Sequence, residues 1–173
     1  MNKIVITIVM LMMISGCSSK KDVRLEDHSL KEFSIEKYLG IWDEVARTDN
    51  RFERGLTDVT AEYLREKNKI IAINKGWNEK KQIWKTSKGY IKKTPHLGRL
   101  KVSFFRPFYS SYNVLYIDKD YRYALVGGST SKYLWVLKRK EEQMSKSLLE
   151  EYLNIARELG YDTEGMIFLK QNN

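Results

Sequence analysis

Few side chains in this sequence are suited to making or breaking bonds. The chain holds one cysteine, Cys17, and two histidines, His28 and His96. Cys17 has no second thiol to pair with, so no internal disulfide can form. His28 lies in a polar stretch and His96 follows Pro95 in a turn, so neither belongs to a zinc or haem ligand set. A Ser-His-acid triad would depend on His96, and the sequence has no Gly-x-Ser-x-Gly elbow to present the nucleophile. Gly127-Gly128-Ser129 lacks the strand-to-helix setting that a phosphate-cradling loop needs. The expectation is therefore no enzyme, no metal and no cofactor. The sequence is richer in recognition chemistry. Eleven tyrosines and four tryptophans supply apolar area with polar handles. The formal net charge of +9 is spread along the chain. It suits anionic lipid headgroups, and by charge alone it would suit nucleic acid equally.

Elements to position such groups are legible from Phe33 onward. Short runs rich in Val, Ile, Tyr, Phe and Trp alternate with turn clusters such as Lys67-Asn68-Lys69, Asn78-Glu79-Lys80 and Asp118-Lys119-Asp120. The predicted strands are Ile41–Arg47, Val59–Leu64, Ile70–Trp77, Gln82–Lys92, Arg99–Phe104, Tyr112–Asp118, Tyr123–Gly128 and Tyr133–Lys138. Strands at this spacing predict an all-β antiparallel barrel or sandwich, and an up-and-down barrel leaves no edge unpaired. One helix is predicted late. Ser145 or Ser147 caps it, Glu150 and Glu151 suit its first turns, and Gly160 ends it. Leu148, Leu149, Tyr152, Leu153, Ala156 and Leu159 give it one apolar face, suited to packing on the barrel wall. Met166-Ile167-Phe168-Leu169 reads as a short final strand.

The N-terminal segment is of another kind. Met1-Asn2-Lys3 is a positive start, and Ile4 to Ile14 is an apolar run interrupted only by Thr7. That run is too short for a stable membrane span and has the length of a signal-peptide core. It ends in Ile14-Ser15-Gly16-Cys17, which resembles the lipobox of bacterial lipoproteins. The resemblance implies a diacylglycerol on the Cys17 thiol, cleavage before it and acylation of the new amino group. Residues 1–16 would then be the signal peptide, 17–32 a lipidated polar tether and 33–173 the folded domain. Acyl chains worth roughly 0.8 kcal/mol per buried CH₂ hold such a protein on a membrane essentially permanently. Ser18 after the cysteine, by similarity to enterobacterial sorting rules, implies an outer-membrane address, with the periplasmic face as the default. Nucleic acid is a poor partner there.

Gly40-Ile41-Trp42, directly after Lys37-Tyr38-Leu39, resembles the Gly-x-Trp signature of lipocalins. Asp118-Lys119-Asp120-Tyr121-Arg122 occupies the place of that family's second motif, with Ile117 where many members carry threonine. Arg139, after Leu134-Trp135-Val136-Leu137, occupies the place of the third. Asn50 to Leu56, Ile73 to Gly76 and Leu100 to Tyr109 further resemble the bacterial outer-membrane lipocalins, relatives of apolipoprotein D. The resemblance covers Ser34 to Leu169. It implies an eight-stranded antiparallel up-and-down β-barrel with one C-terminal helix packed on it. Trp42 would plug the closed end, with Gly40 beside it and the Arg139 guanidinium across its ring.

Within such a barrel, alternation nominates the lining. Leu100, Val102 and Phe104 share a face of their strand, as do Tyr112, Val114 and Tyr116, and again Tyr133, Trp135 and Leu137. By resemblance Asn74, Tyr112 and Trp135 lie in or near the pocket. Arg51 and Arg54, in the loop Thr48 to Thr57, would stand at the mouth and could meet a carboxylate or phosphate. The expected ligand is a fatty acid or lysophospholipid, held for lipid storage or transport in the cell envelope, and the resemblance allows a homodimer. The competing expectation is a structural or assembly lipoprotein whose barrel is filled by its own side chains and whose surface docks a protein.

Overall fold

The computed structural model describes residues 30–171. Cys17, the apolar run before it and most of the tether lie outside the described residues. Eight strands carry the fold: β1 (Gly40–Arg47), β2 (Leu56–Glu66), β3 (Lys69–Asn78), β4 (Ile83–Lys93), β5 (Arg99–Phe105), β6 (Phe108–Ile117), β7 (Tyr123–Gly127) and β8 (Leu134–Arg139). Each runs antiparallel to its sequence neighbour. β1 pairs with β8 as well as β2, so the sheet closes on itself as an up-and-down barrel. β9 (Ile167–Phe168) adds a short ladder beside the end of β1.

The barrel agrees with the expected architecture, and two strands run further than their sequence pattern suggests. β2 begins at Leu56, where Leu56 and Thr57 pair with Asn78 and Trp77 before a register shift between Thr57 and Thr60. β6 begins at Phe108, which pairs with Phe105 across a tight turn. In both places turn-like residues continue a ladder because the neighbouring strand offers unpaired backbone groups, and a bulge absorbs the mismatch.

Two apolar cores follow from strand alternation. Inside the barrel, near the start of β1, lie Trp42, Tyr63, Ala72, Ile91, Leu100, Val114, Ala124, Val126 and Leu137. The short helix α1 (Ile35–Tyr38) inserts Tyr38 into this core, and Leu30 and Phe33 pack against it from below. Outside the barrel, α2 (Lys146–Glu158) covers Val45, Leu125, Leu134 and Val136 with Tyr152, Leu153 and Ala156. Of the two serines proposed as cap it is Ser145 that accepts, from the Leu148 N–H at 3.2 Å. One end of the barrel is thus shut by α1 and its aromatic cluster. The other end is ringed by the β1–β2, β3–β4, β5–β6 and β7–β8 connections.

Candidate functional site

The closed end is built around Trp42, which is fully buried and donates from its indole N–H to the Tyr38 carbonyl at 2.9 Å. The Arg139 guanidinium lies 3.9 Å from the Trp42 ring centroid. The same group donates to the carbonyls of Lys37 (2.7 Å), Leu39 (3.0 Å) and Tyr121 (3.0 Å). One cation therefore ties α1, β1 and the β6–β7 turn together. That turn is held by the Asp118 carboxylate, which accepts from the backbone N–H groups of Arg122 (2.7 Å) and Tyr123 (2.6 Å). Gly40 has φ +106°, and a Cβ there would meet Arg139 Nη1 at 3.0 Å, so both conformation and space select glycine.

Beside Trp42 three tyrosines meet, with the Tyr38 ring 4.9 Å from the indole. Tyr38 and Tyr63 each hydrogen-bond the Tyr112 hydroxyl, at 2.6 and 2.7 Å. Burial pushes all three phenols up from their ordinary range, so they stay protonated.

A polar belt lies nearer the open end. Glu44 follows Trp42 by two positions and pairs with Leu137, so it faces inward. A bulge between Glu44 and Ala46 then turns Arg47 inward too, opposite Trp135. Arg47 donates to the Glu44 carboxyl (2.5 Å) and to the carbonyls of Glu53 (3.0 Å) and Leu56 (3.1 Å). Its Nε is buried and meets no acceptor among the described residues. Trp135 donates from its indole to the Glu53 carboxylate at 3.0 Å, and Asn50 reaches the same oxygen. Burial pushes the Glu44 carboxyl up to about 8; Glu53 adds to the rise and Arg47 opposes it. At neutral pH Glu44 is therefore mostly protonated.

The nominated lining residues fall into three groups. Leu100 and Val114 face inward and are buried in the closed-end core with Trp42, so they pack there and leave no free surface to the interior. Asn74, Val102, Phe104, Tyr112 and Trp135 face inward and are only half-buried. In a closed barrel that free surface opens on the interior or its mouth. Phe104 lies against Gly89, where a Cβ would come within 2.9 Å of its ring, so glycine makes room for the aromatic. Tyr133 stacks on Trp135 with centroids 6.1 Å apart and planes at 15°.

The expectation that Tyr116 shares the inner face of Tyr112 and Val114 is corrected. The register shifts between Val114 and Tyr116, leaving Leu115 as the extra residue. Tyr116 therefore stands outside, edge-on to Tyr152 of α2 at 5.1 Å. A one-residue slip reverses every later side chain on a strand.

Arg51 and Arg54 stand exposed on the β1–β2 loop at the open end. Arg54 is engaged by Asp49 through two bonds of 3.1 and 2.6 Å, and Arg51 lies over the Phe52 ring. The arginine that enters the barrel is instead Arg47. Sequence reasoning missed it, along with Glu44, Glu53, Tyr38 and Tyr63. Glu44 was within reach of alternation from Trp42; Tyr63 needed the β1–β2 register, and Arg47 was hidden by the bulge.

Comparison with known proteins gives the same picture. Residues 33–171 match the family model described as a lipocalin-like domain. Outer membrane lipoprotein Blc of Escherichia coli (strain K12) is 43% identical over 145 residues, covering 82% of this chain and 81% of that protein. The protein of the same name from Vibrio cholerae is 42% identical over 146 residues, covering 82% and 85%. Temperature-induced lipocalin-1 of Arabidopsis thaliana is 35% identical over 147 residues, covering 77% and 76%. Among solved structures, insecticyanin from the tobacco hornworm Manduca sexta superposes with a TM-score of 0.66 at 16% identity, over 84% and 85% of the two chains. That last likeness is one of fold alone.

Proposed function

The chain belongs to the lipocalin family, and from that membership we propose that its barrel holds one fatty acid or lysophospholipid for storage or transport in the bacterial envelope. Lipocalins bind small hydrophobic ligands, and this one is a lipid-anchored protein of the outer membrane. In the proposal Cys17 carries the anchor and the barrel faces the periplasm.

The observation that carries the reading is the half-buried inner face above the tyrosines. Ala61, Val102, Phe104 and Trp135 offer apolar surface to the interior, and the Glu44–Arg47–Glu53 belt lies beside Trp135 on the β1 side. An acyl chain supplies the matching apolar partner. At about 0.8 kcal/mol per buried CH₂, a long chain brings roughly 10 kcal/mol before the entropic cost of ordering it. Micromolar affinity requires about 8 kcal/mol net, so a tail largely enclosed by the barrel comes close to it unaided. The head then sits by the belt, where the buried Arg47 Nε and the mouth arginines Arg51 and Arg54 offer donors to a carboxylate or phosphate.

Titration of the delipidated protein with palmitate tests this. Tryptophan emission should change and saturate, and Trp135→Ala should lose most of that change and bind at least about tenfold more weakly with its fold intact. Unchanged emission in the parent, with no ligand retained on gel filtration, would contradict the proposal.

A further inference from the structure

The large apolar side chains left exposed on this molecule are unevenly placed. Five of them stand around the open end: Phe52 (59% exposed), Ile83 (48%), Trp84 (50%), Phe105 (76%) and Phe108 (78%). Phe52 lies in the β1–β2 connection and the other four at the strand ends that flank the β3–β4 and β5–β6 connections, so no single loop accounts for them. The other exposed large apolars, Ile41, Leu97, Tyr116 and Phe168, are scattered over the wall and the closed end. The four open-end loops are also basic, with Arg51, Arg54, Lys80, Lys81, Arg106 and Lys132 against only Asp49, Glu53 and Glu79. Of those acids Asp49 is engaged by Arg54 and Glu53 is turned into the barrel, so the cations dominate what the rim presents.

We propose that this rim is a membrane-docking surface, which seats the mouth of the barrel on a bilayer containing anionic phospholipid. Aromatic and aliphatic side chains interleaved with cations suit the boundary between headgroups and acyl chains, where apolar rings insert and cations meet phosphate. The cation-over-ring pairs Arg51–Phe52 (4.8 Å) and Lys75–Trp84 (4.3 Å) already combine the two. A bilayer fits better than a protein partner because these groups stand at three of the four connections around the entrance: a protein seated there would seal it, whereas a membrane is itself the source or sink of an acyl chain. The tether permits this pose. Leu30 packs at the closed end, and the 13 residue-to-residue steps from Cys17 to it reach about 44 Å when extended. The longest strands, of 11 residues, make the barrel only about 28 Å tall at the usual tilt. An anchored chain can therefore turn its mouth to the membrane that holds it.

The inference rests on the open end being the ligand entrance, so vesicle binding and palmitate uptake are read separately. The processed chain from residue 17, carrying Cys17→Ser to remove the acyl anchor, is sedimented with vesicles of phosphatidylethanolamine containing a minority of phosphatidylglycerol. It should partition onto them, and less so as salt is raised. The Phe105→Ser/Phe108→Ser pair should lower partition at least about tenfold while palmitate uptake stays within about twofold of the parent. Leu97→Ser, at the closed end, should change neither. Should the pair fail to fold, Phe52→Ser on a separate loop gives the same reading by a smaller loss. Partition of the variants equal to the parent's would overturn the proposal. So would a parent that takes up palmitate yet never binds vesicles, which would hand the rim to a protein partner.

Discussion

Glu44 sits on an inner face that water scarcely reaches, and its chemistry follows from that placement. Its carboxyl titrates near 4.5 in the unfolded chain and near 8 in the barrel. Between those values the folded state binds more protons than the unfolded one, so stability falls as pH rises. The contribution is full below about pH 4.5 and is lost by the time pH passes through about 8. Denaturant unfolding at about pH 5 and about pH 8 should show the parent losing on the order of a few kcal/mol across that window. Glu44→Gln, uncharged at both, should lose far less; equal losses would remove Glu44 as the cause. The residues at the closed end are easier to read from sequence. Gly40, Trp42 and Arg139 are tied by a ring contact and backbone bonds that few other residue types can make. Arg47 is the opposite case, an ordinary strand arginine until a bulge turns it inward.

At the scale of elements, the strands were legible because alternation and turn residues both mark them, and α2 because its apolar face repeats at helical spacing. Bulges were not legible. They arise where two ladders of unequal length must close on a common barrel, which is a property of pairs of strands and leaves no mark on one strand's sequence. The bulge after Val114 makes a definite claim about Tyr116. Tyr116→Ala should weaken folding by about 1–2 kcal/mol, through loss of its edge-to-face contact with Tyr152, and leave palmitate affinity unchanged. Abolished uptake in a folded Tyr116→Ala variant would place that side chain inside and the register shift in error. Leu100 and Val114 teach a related lesson: alternation gives the face but not the depth, and both are buried in the closed-end core that Tyr38 of α1 joins near the start of β1.

For the whole molecule, the sequence carries the barrel and its closed end, because each depends on local pattern or on a few fixed motif residues. It carries much less of the interior, where the polar belt and the tyrosine floor are assembled from β1, β2, β6, β8, α1 and the first mouth loop. The lower half of the barrel is packed by its own aromatic side chains, which is what a purely structural lipoprotein would show throughout. The upper half keeps inward-facing residues half-buried, and it is there that the two accounts part. Native mass spectrometry of the protein, purified from bacterial membranes in mild detergent, separates them most directly. The account predicts that the folded chain carries a fatty acid or lysophospholipid at about one per barrel, and rebinds one after delipidation. A folded chain that emerges bare, and stays bare when palmitate and lysophospholipid are offered, would contradict it.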